Sequence, residues 1–268
     1  MSTANKRTIK SILKMKQDRL PIAMLTAYDY TFASIFDAVG IDIVLVGDSV
    51  SNVFSGNETT IPVTLNEMIY HAKAVMKGVQ NALVVVDMPF GSYQISTESA
   101  LENAIQIFKE TGVQALKLEG GKEIATTIKK IVDAGIPIMG HLGLTPQSIH
   151  QLGSYEVQAK STEAQQVLIE NAKYLQDAGC FSLVLEKVPA SISKKISEQL
   201  SIPVIGIGAG NGCDGQVLVM HDMLGLNPNF NPKFVRKYAN LHDIVSDAVK
   251  NYLHDVGSKD FPNEKESY

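Results

Sequence analysis

Four apolar runs in this chain each end on a carboxylate: Val44-Leu45-Val46-Gly47-Asp48, Leu83-Val84-Val85-Val86-Asp87, Ala115-Leu116-Lys117-Leu118-Glu119 and Ser182-Leu183-Val184-Leu185-Glu186. A short apolar run that stops abruptly on an acid reads as a buried strand delivering a charged group to its exposed end. Helical patterns separate these runs, so the strands are expected to be parallel and joined by crossover helices, with every carboxyl end on one side.

In chain order, Lys6 to Lys16 reads as a short amphipathic helix carrying Ile9, Ile12, Leu13 and Met15. Ile22 to Ala27 is the first strand, and Asp29 opens a helix that runs to Gly40. Ile43 to Gly47 is the second strand. Ser51 to Pro62 then forms a polar loop longer than ordinary connections, which marks it as functional. Thr64-Leu65-Asn66-Glu67 resembles a capping box opening a helix that ends near Gly78. The same alternation predicts strands at Leu83–Val86, Val113–Leu118, Ile136–Gly140, Phe181–Leu185, Ile202–Ile207 and Gln216–Met220. It predicts helices at Ser96–Thr111, Glu123–Ala134, Thr162–Ala178 and Ala190–Leu200, and a long loop from His141 to Lys160.

Seven or eight such units fit either a closed barrel or an open doubly wound sheet. An open sheet gathers ligands only near its topological switch point, whereas a barrel brings many strand ends to one mouth. Polar groups follow strands two to six here, so the expectation is an α/β chain folded as a (β/α)8 TIM barrel. It is read as a single domain spanning 1–268, with a short N-terminal helix and a C-terminal extension loosely structured from about Gly257. A length of 268 residues fits this class, whose members run to roughly 250 residues as one unit.

A formal net charge of −4 with no dense basic run argues against a nucleic-acid partner. Cys180 and Cys213 are the only cysteines, too few for a disulfide scaffold and not spaced as a metal pair, which fits a reducing cytoplasm. No stretch approaches the roughly 20 apolar residues of a membrane span, and the N-terminus lacks the apolar region of a secretory signal.

Asp48 and Asp87, at the carboxyl ends of different strands, are what a hard cation such as magnesium needs, with water and substrate filling the remaining positions. Either one alone could equally cap the segment after its strand; together they favour a metal. Lys117 and Glu119 are two apart on one strand and share a face. They form either an internal ion pair or a cation for an anionic substrate beside a metal group. Glu186 shares its face with Val184, and Lys187 points away, which leaves the carboxylate either exposed at the strand end or standing as a general base. His141 either donates to a ligand oxygen or binds a neighbouring carbonyl, the latter favoured for the residue alone. Gly206 to Gly212 could bring backbone N–H groups to an anion. Gly210 to Gly215 also fits a dinucleotide fingerprint, but a strand-like segment follows it where a helix is required. This set suits making an enolate from a 2-oxo acid, because a cation chelated by carboxylate and ketone acidifies the neighbouring C–H.

The strings Thr26-Ala27-Tyr28-Asp29-Tyr30, Leu45-Val46-Gly47-Asp48-Ser49, Lys117-Leu118-Glu119-Gly120-Gly121, Gly140-His141-Leu142-Gly143-Leu144-Thr145-Pro146-Gln147-Ser148 and Ile205-Gly206-Ile207-Gly208-Ala209-Gly210-Asn211 closely resemble the ketopantoate hydroxymethyltransferase family. The match extends through Asp214-Gly215-Gln216 and Val219-Met220-His221-Asp222 to Phe261-Pro262 and Ser267-Tyr268. The resemblance implies a Mg2+-dependent barrel enzyme of pantothenate biosynthesis. Such an enzyme moves a one-carbon unit from 5,10-methylenetetrahydrofolate, its co-substrate, to 3-methyl-2-oxobutanoate, giving 2-dehydropantoate. It further implies Asp48 and Asp87 as metal ligands, Glu119 as a further metal group, Ser49 and Lys117 as substrate contacts, His141 as a pocket donor and Glu186 as the proton acceptor. A homodecamer in the cytoplasm is the implied assembly. Magnesium-dependent lyases and mutases of the phosphoenolpyruvate and isocitrate type share these ingredients and form the alternative; a barrel serving only for binding or assembly is the remaining one.

Overall fold

The computed structural model describes residues 6–268 and resolves them into two compact units that divide between Val219 and Met220. The first is a closed barrel of eight parallel strands in sequential order, β1-β2-β3-β4-β5-β6-β7-β8. The strands are β1 Ile22–Thr26, β2 Ile43–Val46, β3 Leu83–Asp87, β4 Ala115–Glu119, β5 Ile138–Gly143, β6 Ser182–Glu186, β7 Val204–Ile207 and β8 Gly215–Leu218. The ring closes through parallel pairing of β8 with β1, where Ile22 faces Gly215 and Met24 faces Val217.

Helix α1 (Ile9–Gln17) precedes the barrel, and α2 (Tyr30–Ala38) follows β1. The single-turn helix α3 (Val50–Val53) and then α4 (Leu65–Gly78) follow β2, α5 (Thr97–Thr111) follows β3, and α6 (Ala125–Asp133) follows β4. After β5 come α7 (Ile149–Leu152) and α8 (Thr162–Asp177), and after β6 comes α9 (Ala190–Gln199). No helix joins β7 to β8. The second unit holds α10 (Met220–Met223) and α11 (Leu241–Ser258), and no residue of α11 is buried.

Local chemistry sets the helix starts. Asp29 accepts the backbone N–H of Phe32 at 2.9 Å and caps α2. At α4 the expected box is present: Thr64 Oγ1 accepts from Glu67 N at 3.3 Å while Glu67 Oε2 accepts from Thr64 N at 2.7 Å. Ser96 caps α5 and Gly112 closes it in the left-handed region.

Alternate strand residues fill the interior. Ile22, Met24, Ile43, Leu45, Leu83, Val85, Ala115, Met139, Val184, Ile205 and Val217 form one cluster, and Ile12 and Met15 of α1 pack into it. The first helix therefore plugs the N-terminal end of the barrel, and its Lys16 reaches Asp214 at 2.7 Å. At the other end the same inward rows change character: Asp87 continues the row of Val85, Lys117 and Glu119 that of Ala115, His141 that of Met139, and Glu186 that of Val184.

The polar stretch after β2 begins with the helical turn α3 instead of open loop, and Ser51 Oγ pins it by donating to Thr59 O at 2.8 Å. The predicted loop from His141 is shorter than expected. Strand β5 continues to Gly143, because His141 pairs with Glu119 on one side and Val184 on the other, and the pairing overrides the glycines that flank it. A helix over Leu241–Ser258 occupies a stretch for which no element is expected, and from Lys259 on there is neither helix nor strand.

Candidate active site

The mouth of the barrel collects Asp48, Asp87, Lys117, Glu119 and His141, all buried, with Glu186 at its rim at 16% side-chain exposure. Two of them sit at the register pair Asp87↔Lys117, and Lys117 Nζ lies 2.9 Å from Asp87 Oδ1. Asp87 Oδ2 accepts the backbone N–H of Asp48 at 3.0 Å, so the end of β3 holds the turn after β2 in place. This answers the capping alternative for both acids. Neither carboxylate caps a helix: Ser49, not Asp48, occupies the cap position of α3, and Ser96 caps α5.

Glu119 stands opposite His141 in register, and its Oε1 is 3.2 Å from His141 Nδ1 and 4.0 Å from Lys117 Nζ. His141 Nε2 points the other way, 3.4 Å from Glu186 Oε2. The imidazole therefore lies between two carboxylates, with Lys117 Nζ also 3.2 Å from Nδ1, and the expectation of a bond to a neighbouring carbonyl does not hold. Ser49 Oγ pairs with the buried Tyr28 hydroxyl at 2.8 Å.

Burial penalises every charge in this group, and the neighbours decide which charges survive. Burial raises Asp48 well above the usual carboxylate range, reinforced by Asp87 and Glu119 and opposed by Lys117 and Gln147. Burial also raises Asp87, with Lys117 opposing. Glu119 is likewise desolvated, yet His141 and Lys117 bring it below its ordinary value. For Lys117 burial favours the neutral amine, but the three acids around it outweigh that and hold it protonated. His141 is pulled down by burial and by Lys117, and pulled up more strongly by Glu119 and Glu186, to about 9.

Four carboxylates, Asp48, Asp87, Glu119 and Glu186, converge on the mouth around Lys117 and His141, and Lys117 Nζ also lies 3.2 Å from His141 Nδ1. Asp87 Oδ1 and Glu119 Oε1 are buried without a hydrogen bond, although each has a cationic neighbour. Among the described residues no three His, Cys, Asp or Glu side chains close around one point as a ready cage. A divalent, largely hydrated cation fits such a site: magnesium takes one or two carboxylates and keeps oxygen ligands from water and substrate. Zinc, which takes three or four protein ligands, does not.

Two side chains to which sequence reasoning gave no role complete the site. Gln147 is buried behind Pro146 and donates from Nε2 to Asp48 Oδ2 at 2.9 Å and to Met88 O at 3.0 Å. Tyr93 is buried beside it and donates to Gln147 Oε1 at 2.8 Å. The turn signal at Thr145-Pro146 locates the bend but carries no sign that the following glutamine folds inward.

Gly143 shows why Glu186 needs a particular neighbour. Its φ is +93°, and a Cβ there would lie 2.2 Å from the carbonyl oxygen of Glu186. Only glycine allows β5 to approach the end of β6 so closely.

Comparison with known proteins agrees over the whole chain. The family model described as ketopantoate hydroxymethyltransferase matches residues 6–264. The 3-methyl-2-oxobutanoate hydroxymethyltransferase of Flavobacterium johnsoniae is 57% identical over 272 residues, covering 100% of both chains. That of Christiangramia forsetii is 56% identical, again over 100% of both. Among solved structures, a phosphonopyruvate hydrolase in complex with oxalate and Mg++ superposes with a TM-score of 0.62 at 10% identity, covering 97% of this chain and 93% of that one. A 2,3-dimethylmalate lyase of the phosphoenolpyruvate mutase/isocitrate lyase superfamily gives 0.60 at 15% identity, covering 100% and 93%. At such identities these two structures speak for the fold alone.

Proposed function

The chain belongs to the ketopantoate hydroxymethyltransferase family, and on that footing we propose how its mouth carries out hydroxymethyl transfer to 3-methyl-2-oxobutanoate in pantothenate biosynthesis. Asp48 and Asp87 would hold a magnesium ion, with Glu119 as a further group at the metal. When bound, the cation polarises the ketone of the 2-oxo acid and so acidifies its C3–H. The convergence of these carboxylates on one mouth, with Asp87 Oδ1 and Glu119 Oε1 buried and without a hydrogen bond, is the observation that supports this reading.

The remaining work falls to side chains. Lys117 and Ser49 receive the carboxylate end of the oxo acid, the ammonium as a charged donor and the hydroxyl through its pairing with Tyr28. Glu186 takes the C3 proton. His141 orients Glu186 from the β5 side and can reach a ligand oxygen when that ligand enters the mouth. C3, having lost its proton to Glu186, forms a C–C bond to the methylene carbon of 5,10-methylenetetrahydrofolate as its bonds to the folate nitrogens break; water supplies the hydroxyl, and tetrahydrofolate leaves with 2-dehydropantoate as product. Among the described residues no helix is long and apolar enough to cross a membrane. The family resemblance extends the proposal to a cytoplasmic homodecamer.

Exchange of the C3 hydrogen of 3-methyl-2-oxobutanoate in heavy water tests the reading without folate. Exchange that depends on magnesium and is lost in Asp48→Ala and Asp87→Ala is the expected result. Equal exchange with and without the metal, or near-normal exchange in both variants, overturns the metal assignment.

A further inference from the structure

Gln147 belongs to the segment after β5 yet reaches across the mouth to Asp48, a residue on the β2 side of the barrel. All of its side-chain hydrogen-bonding capacity is used. The two Nε2 hydrogens go to Asp48 Oδ2 and Met88 O, while Oε1 accepts from the Tyr93 hydroxyl and, at 3.3 Å, from Gln94 Nε2. Its backbone N–H donates to Glu119 Oε2 at 3.0 Å. One residue thus ties the acid after β2 to the acid at the end of β4.

The orientation of this amide is fixed by its surroundings. Flipped, it would set its carbonyl oxygen against the Asp48 carboxylate and the Met88 carbonyl, two acceptors facing an acceptor. Tyr93 prevents that flip from the opposite side. Its oxygen accepts the backbone N–H of Glu119 at 3.2 Å, and its single proton finds Gln147 Oε1 at 2.8 Å as a nearer acceptor than the Glu119 carbonyl oxygen at 3.2 Å. With Oδ2 engaged, Oδ1 of Asp48 is the oxygen without a hydrogen bond among the described residues.

The residue type matters as much as the geometry. A lysine or arginine here would form an ion pair with Asp48 and compete with any cation. An acid would add a fifth carboxyl group to a mouth that already holds four. A buried amide supplies two donors and no charge.

We infer that Gln147, locked by Tyr93, is a positioning residue that selects the Asp48 oxygen offered to the divalent cation and keeps Asp48 and Glu119 in one arrangement before the cation arrives. This rests on the metal role proposed above for Asp48. Outer partners of metal-holding carboxylates typically change metal affinity by about 10- to 100-fold when removed.

The test measures Mn2+ binding by electron paramagnetic resonance on the full-length protein, with melting temperature recorded in parallel. Gln147→Met keeps length and removes every polar atom; Tyr93→Phe keeps the ring and removes only the hydroxyl that fixes the amide. Gln147→Met should weaken Mn2+ binding by about 10- to 100-fold, and Tyr93→Phe by less. In the double variant Tyr93→Phe should add nothing further, because it acts through Gln147. Asp48→Asn separates the two claims. If Asp48→Asn weakens Mn2+ binding while Gln147→Met stays within twofold of wild type, the positioning role is wrong and the metal site stands. If Asp48→Asn also leaves binding unchanged, both fail. Should Gln147→Met not fold, Tyr93→Phe with unchanged Mn2+ affinity is enough to overturn the inference.

Discussion

His141 Nε2 lies 3.4 Å from Glu186 Oε2, and its other ring nitrogen lies 3.2 Å from Glu119 Oε1. One imidazole thus spans the carboxylate proposed to take the substrate proton and the carboxylate proposed to stand at the metal. Adjacent inward positions on β4, β5 and β6 create this bridge, since Glu119 pairs with His141 and Gly143 with Glu186.

Replacing Glu186 by Gln keeps the side-chain shape and removes the basicity. Binding of magnesium and of the oxo acid should persist, while C3–H exchange falls by about 10²- to 10⁴-fold, the share of a positioned general base. Exchange near the wild-type rate would transfer the proton to another group and leave Glu186 a positioning role.

Lys117→Met removes the cation on which Asp87 and Glu119 depend. Loss of a charged hydrogen bond should weaken oxo acid binding by roughly 1.5–3 kcal/mol, a drop of about 10- to 150-fold, with folate binding less affected. The melting temperature should fall as well, because two buried acids lose their partner. Equal losses for both ligands, read by calorimetric titration, would mark the lysine as structural only.

Gly143→Ala places a methyl group against the Glu186 carbonyl. The end of β6 must then move, so exchange activity should drop at least tenfold while Mn2+ affinity changes by less than threefold, since small displacements of a catalytic group cost about 10²-fold. A crystal structure of the variant with Glu186 undisplaced would refute the link.

Asp37 provides a pH test remote from the mouth. Its carboxylate accepts backbone N–H groups of Gln80, Asn81 and Ala82 and the side chain of Asn81, at 2.7 to 3.1 Å. Burial raises its pKa, but these donors outweigh it and the net shift is below 3.8. A lowered folded-state value means the stabilisation is fully present above 3.8 and lost as pH falls through the lower value. Asp37→Ala should therefore lose about 2 kcal/mol at pH 7, and the gap in melting temperature should narrow below pH 4. A gap independent of pH would exclude the carboxylate charge as its source.

The barrel and most of the acid set are legible in the sequence for one physical reason: strands buried on both faces must be continuously apolar, so the inward acid that ends each run stands out. Strand ends are less legible. His141 to Gly143 read as the start of a loop, yet pairing on both sides carries β5 through them. Helix α11 has readable spacing in Leu241, Ile244, Val245, Ala248, Val249, Tyr252 and Val256, but a strand count complete at Leu218 gives no reason to look for it. Gln147 and Tyr93 were beyond reach, because their importance lies in contacts between residues 54 positions apart and not in any local pattern.

Closure of the ring through β1 and β8 also sets an order of events in time. The partner of Ile22 lies roughly 190 residues downstream, and contacts at such separation form late and slowly. On a ribosome adding roughly 5–20 residues per second, β1 has no β8 to pair with for about 10 to 40 s. Through that interval its edge stays open to any other extended chain. Lys16 of α1 likewise has no Asp214 to pair with until then, so the ion pair at the barrel floor forms only once the chain has reached its last strand.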